Sequence, residues 1–209
     1  MHSTVVRFVQ EHLGQTDIAG NSVLEVGALD FNGSIRTIVE ALGPSSYIGV
    51  DMQPGPGVDR VMTVAYLVDS FGDNQFDVVI STEMLEHVQD WRWAVSQMKR
   101  VTAPGGRLMV TTRSPGFMYH GYPHDFWRFT VADFESIFAD MADVVVEADT
   151  EWPGVMLYAT KPIGFAEVST AQIDVAVAPH VPLPGLRRQL KATVSSRLGK
   201  LRRKMSGGR

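Results

Sequence analysis

Apolar residues in this chain fall in short blocks separated by turn signals, and the blocks alternate between two periods. Ser22–Val26, Tyr47–Val50, Phe76–Ser81 and Arg107–Thr112 are short runs rich in Val, Ile, Leu and Met. Such runs read as buried strands. Helical spacing appears between them. Ile35–Leu42 stops at Gly43-Pro44, and Asp90 can cap a helix carrying Trp91, Ala94, Val95, Met98 and Val101. Pro104-Gly105-Gly106 breaks that helix. Ser3–Leu13 reads as an amphipathic helix, and Val131–Phe138 as another, with Asp133 and Glu135 near its start. Val58–Met62 is a weaker third strand, Val64–Phe71 a short helix, and Val144–Glu147 and Val155–Thr160 the last two strands. Residues 114–129 have neither period and read as irregular.

This alternation of strand and helix predicts an α/β domain with a seven-stranded, mostly parallel sheet covered on both faces. In such sheets ligands sit outside the carboxyl ends of the strands, near the point where the strand order reverses. Three segments fall at such ends. Glu25-Val26-Gly27-Ala28-Leu29-Asp30-Phe31-Asn32-Gly33-Ser34 follows the first strand. Gly27 lets backbone approach a ligand closely there. Asp51 ends YIGV, where a carboxylate can accept both hydroxyls of a ribose. Ser81-Thr82-Glu83-Met84-Leu85-Glu86-His87-Val88 closes the fourth strand.

Composition narrows the chemistry. The 209 residues include no cysteine, which excludes disulfides, thiolate metal sites and cysteine nucleophiles. At 44% hydrophobic residues the chain can build a substantial core. The start, MHSTVVRFVQEHLG, does not read as a signal peptide, and no apolar run is long enough for a bilayer span. A cytoplasmic protein, peripheral to a membrane if its tail docks there, is the expectation. The net charge of −4 hides an asymmetry. Residues 187–209 hold nine Lys and Arg and no acid, leaving 10 Lys and Arg against 23 Asp and Glu in the rest. Leu186, Leu190, Val194, Leu198, Leu201 and Met205 form one apolar stripe, so this stretch reads as a C-terminal basic amphipathic helix. Such a helix suits an anionic membrane surface or a partner protein. Phosphates of nucleic acid are the less favoured partner. The expected organisation is an N-terminal helix (1–20), the α/β domain (21–162), an extension with a Pro-rich linker (163–185) and the basic tail (186–209).

Four segments in order, LEVG at 24–27, IGVDM at 48–52, FDVVISTEMLEHV at 76–88 and KRVTAPGGRLMVTT at 99–112, resemble the class I methyltransferases that use S-adenosylmethionine. The type 11 methyltransferase domain group is the most similar, over roughly residues 20–162. The resemblance implies a Rossmann-like three-layer sandwich and S-adenosylmethionine as cofactor. It also implies that Glu25 and Gly27 shape the methionine pocket, that Asp51 with Met52 holds the ribose side, and that Thr82 and Glu83 line the cleft. The chain departs from the group's glycine pattern. Leu29 and Phe31 stand where the second and third glycines are usual, and Gly33 comes two positions later. A phosphate-free sulfonium cofactor tolerates that loss better than a dinucleotide. MTVAY at 62–66 also lacks the acid that many relatives present to the adenine amine.

The acceptor side is expected in RSPGFMYHGYPHDFWRF at 113–129. A related H-x-x-P-x-D-[FY]-W-R pattern recurs in one subgroup similar to type 11 proteins. Tyr119, Tyr122, Trp127 and Arg128 are candidate acceptor contacts. Methyl transfer to a hydroxyl needs alignment and removal of a proton. His120 or His124 is the candidate base, with Asp125 orienting an imidazole, and His87 is a weaker one. A second reading makes Asp125 and Arg128 a structural ion pair. No metal is expected, because no HxH, HExxH or acidic-cluster spacing appears. The leading expectation is an enzyme methylating a hydroxyl of a sugar or other small molecule. The alternatives are a non-catalytic cofactor-binding module on the same fold, or an enzyme on a macromolecular acceptor reached through the basic tail.

Overall fold

Strand residues here alternate between two buried faces, as a sheet covered on both sides demands. The computed structural model describes residues 2–121 and 123–179. Its elements are α1 (Ser3–His12), α2 (Gln15–Ile18), β1 (Ser22–Val26), α3 (Arg36–Glu40), β2 (Ser46–Asp51), β3 (Arg60–Val61) and α4 (Leu67–Phe71). They continue with β4 (Phe76–Thr82), α5 (Trp91–Val101), β5 (Thr102–Arg113), β6 (Trp127–Arg128), α6 (Val131–Ile137), β7 (Ala142–Ala148), β8 (Gly154–Thr160) and β9 (Ala176–Val177). The main sheet has seven strands in the order β3-β2-β1-β4-β5-β8-β7. β3 to β5 run parallel across it, while β8 is antiparallel to β5 and to β7. The expected α/β, Rossmann-like architecture is the observed one.

One face of the sheet packs Val23, Val78, Ile80, Met109 and Met156 against Phe8, Val9, Leu13, Ile18 and Val39 from the first three helices and their flanks. The alternate residues Leu24, Val79, Leu108, Val110 and Leu157 are equally buried, so by the period of two they serve the opposite face. α5 contacts β4 and β5 there, and Trp91, Phe129, Phe134 and Phe138 form a chain of edge-on ring contacts. Asp90 caps α5 by accepting from Trp93 N, as the sequence suggests. Thr130 and Asp133 form a capping box at α6.

Several element boundaries differ from the sequence reading. β5 begins at Thr102 rather than Arg107, with a register irregularity against β4 between Phe76 and Val78. Pro104-Gly105-Gly106 therefore ends the helix while remaining within the sheet. β6 and β9 pair in a small antiparallel ribbon that short length hid from periodicity. Residues 163–179, read as extension and linker, pack on the domain. Arg92 donates to the carbonyls of Thr170 and Ile173, and Ala178 N donates to Phe126 O. The basic stripe of 186–209 lies outside the described residues. Among those described, no helix is long and apolar enough to cross a membrane.

The loop after β1 explains how the chain manages without two of the usual glycines. The close approach has moved to its neighbour. A Cβ at Gly49 would lie 2.1 Å from Gly57 O and 2.8 Å from Ala28 Cβ, and one at Gly55 would lie 2.4 Å from Leu29 Cδ1. The Pro54–Gly57 turn thus presses on the β1 loop, and Asp30 N donates to Pro56 O. Leu29 fills the space that glycines opposite leave open. Gly49→Ala is accordingly expected to lose about 1–3 kcal/mol of stability, because a backbone carbonyl must move. Urea denaturation measures it, and an unchanged midpoint would contradict this packing.

Candidate active site

Parallel strands whose connections leave in opposite directions open a crevice between them. Here the reversal falls between β1 and β4. A cleft of about 640 Å³ opens at the carboxyl ends of β1, β2, β4 and β5. That size lies within the usual range for small-molecule sites, about 300–1,000 Å³.

Glu25, Gly27, Asp51, Met52, Thr82 and Glu83 all line this cleft. Gly27 has φ of 83°, and a Cβ there would lie 2.6 Å from Met84 Cγ. That backbone conformation and the close approach of Met84 both call for glycine. Glu25 is 2% exposed and accepts a 2.7 Å hydrogen bond from Tyr47 Oη. Burial pushes its carboxyl up to about 7, and the Tyr47 bond only partly offsets this. Asp51 is positioned by backbone: Leu29 N and Gln53 N donate to its two oxygens at 3.3 and 2.9 Å. Ionised carboxylates have about four acceptor sites, so Asp51 keeps capacity for a ligand. Met62, Thr63, Val64 and Ala65 complete this end as a wall without an acid.

Glu83 adopts φ of 56°, unusual outside glycine. Its Oε1 accepts from Thr111 Oγ1 at 2.8 Å, and its Oε2 forms an ion pair with Arg113 Nη2. Burial and the negative charge of Glu86 push Glu83 up to about 7.

His120 and His124 line the other side, with His87 and Phe117. Their settings differ. His120 is held between two carboxylates, with Nδ1 3.0 Å from Asp125 Oδ2 and Nε2 3.5 Å from Glu86 Oε1. Burial pulls this imidazole down, but Glu86 and Asp125 outweigh burial and raise its pKa. His87 Nδ1 lies 2.6 Å from the His124 carbonyl, which can only accept, so Nδ1 carries the proton. His124 is exposed at the mouth, its ring tilted against Phe126.

Asp125 is fully buried and does not line the cleft. It binds Arg128 through both oxygens and accepts from His120 N. Arg128 is 1% exposed and also donates to the carbonyls of Met118, Trp127 and Phe117. Trp127 is buried too, its indole N–H shared between the carbonyls of Val88 and Gln89. Trp127 and Arg128, read from sequence as acceptor contacts, are therefore braces behind the site. The alternative of a structural Asp125–Arg128 pair is the arrangement observed. Tyr119 is half-exposed outside the cleft, and Tyr122 lies outside the described residues.

Two residues escaped the sequence reading. Glu86 is fully buried, accepts from Thr112 Oγ1 at 2.7 Å, and presents Oε1 to both His87 and His120. Those three residues have ligand atoms within 4.8 Å of one another, a grouping able to hold a metal ion. The metal spacings sought in sequence could not reveal it, because His120 arrives from a separate segment. Arg113 is the other, a buried cation at the end of an apolar strand, and that position was its one signal.

Residues 24–110 match the family described as the methyltransferase domain. A ubiquinone biosynthesis O-methyltransferase of Pseudomonas paraeruginosa is 31% identical over 121 residues, covering 51% of this chain and 49% of that protein. The chain thus spans about half the length of the curated relatives it matches. An S-adenosylmethionine-dependent methyltransferase from Mesorhizobium loti superposes with a TM-score of 0.54 at 14% identity, over 75% of this chain and 96% of that one. The 1,6-didemethyltoxoflavin-N1-methyltransferase of Burkholderia thailandensis, solved with S-adenosylhomocysteine, gives 0.51 at 15% identity over 69% and 72%. At these identities the structures speak for the fold.

The Glu25 environment has a measurable sign. Its carboxyl is raised from 4.5 to about 7 by folding, so the folded chain keeps a proton that the unfolded chain has lost. That contribution to stability is full below about 4.5 and disappears as pH climbs through about 7. Glu25→Gln removes the dependence. Relative to the parent, the variant should gain up to about 3 kcal/mol between pH of about 5 and about 8. Urea melts at both pH values test this, and parallel slopes would contradict it.

Proposed function

We propose that this chain is an S-adenosylmethionine-dependent methyltransferase that methylates a hydroxyl of a small molecule or sugar, a reading supported by the match of residues 24–110 to the methyltransferase domain family. The observation that carries this is the single cleft joining Glu25, Gly27 and Asp51 at one end to His124 at the other. The chain's residues fit the cofactor. Gly27 and Met84 pack together along the cleft without a Cβ between them, and Asp51 is held by backbone with acceptor capacity to spare.

S-adenosylmethionine, when bound, supplies a methyl group activated by the positive charge on its sulfur. Asp51 would accept from the ribose hydroxyls. Glu25 offers a buried carboxylate to the ammonium of the methionine part, and that contact favours its ionised form. The acceptor hydroxyl would have to face that methyl group in line with the sulfur and lose its proton on transfer. The hydroxyl proton goes to His124. His120 suits this task less, because both of its ring nitrogens already face carboxylates and its raised pKa favours the protonated ring. It serves better as a fixed positive neighbour. A hydroxyl acceptor is favoured over a more acidic one because an imidazole at the cleft mouth provides the base an alcohol needs.

Two measurements test this reading. Calorimetry should find S-adenosylhomocysteine bound in preference to NAD or ATP, and Asp51→Ala should weaken it by about tenfold or more. His124→Ala should lower transfer of labelled methyl to a sugar panel by about 10²–10⁴-fold, with S-adenosylhomocysteine affinity kept. Full turnover in His124→Ala would remove His124 as base, and absence of cofactor binding would remove the enzyme.

A further inference from the structure

Arg113 ends β5 on the acceptor side of the cleft and is 3% exposed. A guanidinium has five N–H donors and no acceptor. Nη2 is engaged by Glu83, and the guanidinium lies over the Phe117 ring, Cζ 4.2 Å from its centroid. Nε and Nη1 are buried with no hydrogen-bond partner among the described residues. An unmatched buried donor on a cation is costly, more so than on a neutral group. The stacked ring and the Glu83 contact fix the group's orientation, so both free donors are held in place.

Resting on the methyltransferase reading, we propose that Arg113 receives an oxyanion of the acceptor, a carboxylate or phosphate carried near the hydroxyl to be methylated. Place argues for the acceptor over the cofactor's own carboxylate. β4 separates Arg113 from Glu25 on β1, and Arg113 pairs with Gly154 of β8 on its far side. Its neighbours in the cleft are Phe117 and His120. Charge argues the same way. Glu83 is the cation's one ion-pair partner among the described residues, and it engages Nη2 alone, leaving Nε and Nη1 unmatched. Anionic oxygens supply the missing hydrogen bonds, and charge-assisted bonds of this kind are roughly twice as strong as neutral ones.

The test uses the full ¹⁵N-labelled chain loaded with S-adenosylhomocysteine. Arg113 Nε–Hε is assigned through bonds and by its loss in Arg113→Lys. Benzoate, phenyl phosphate and the neutral benzamide are the probes. Either anion is expected to shift this resonance saturably, with benzamide weaker by about tenfold or more. Silence with both anions, or an equal response to benzamide, overturns the proposal without touching the enzyme reading. So does anion binding that occurs only without S-adenosylhomocysteine and is competed by it, which would give the site to the cofactor's carboxylate. If S-adenosylhomocysteine itself does not bind by calorimetry, the methyltransferase premise fails, and the proposal with it. The titration reads the parent protein, so a poorly folding variant does not decide it.

Discussion

The site depends on one constraint, the reversal of strand order between β1 and β4. Two adjacent parallel strands whose chains leave toward opposite sides cannot cover their own carboxyl ends. The uncovered ends here carry Glu25, Gly27 and the Thr82–Glu83 pair, and β2 adds Asp51. Glu25 is not on the loop but inside β1, registered against Gly49 and Ile80. The sheet therefore buries a carboxyl beside apolar strands, and that burial sets its raised pKa. Hydrophobic packing that fixes the sheet also tunes the polar floor of the cleft.

A second polar layer stands behind the acceptor wall. Glu86 and Asp125 are both fully buried; Glu86 accepts from Thr112 Oγ1, and Asp125 takes Arg128 and the backbone N–H of His120. Glu86 also holds the segment through its backbone, since Phe126 N donates to Glu86 O. Arg128 then gathers the carbonyls of 117–118 and 127 onto Asp125's partner side. An irregular stretch has no ladder to satisfy its carbonyls, so side-chain donors must do so. This satisfies the carbonyls of Phe117, Met118 and Trp127 from a buried side chain where no sheet ladder does so.

Much of the fold was legible because apolar period separates strands from helices, and seven strands with α5 and α6 fell where the pattern put them. β6 and β9, each two residues long, carry no period at all. The cofactor end was readable because its residues sit at strand termini, where position alone implies exposure to a ligand. The acceptor end was only partly so. Asp125, Trp127 and Arg128 belong to one motif with His120 and His124, yet burial divides them into braces and lining. Sequence shows which residue types are close along the chain, and not which side of the backbone each occupies. Glu86 was masked in the same way by its neighbour Glu83, three residues earlier in one motif.

Glu83 shows why those two glutamates differ. Its φ of 56° turns the chain at the end of β4, and such a conformation costs about 1–3 kcal/mol in a residue other than glycine. A glycine there would relieve the backbone but remove the partner of Arg113. The turn feeds directly into the short helix Leu85–His87, which carries Glu86 inward and His87 to the cleft. A straight continuation of β4 would alternate side chains across the sheet and split Glu83 from the acceptor wall. The strained residue is thus the point where a regular sheet hands over to an irregular wall. It places two buried carboxyls close enough to interact, one near Arg113 and one facing the histidines.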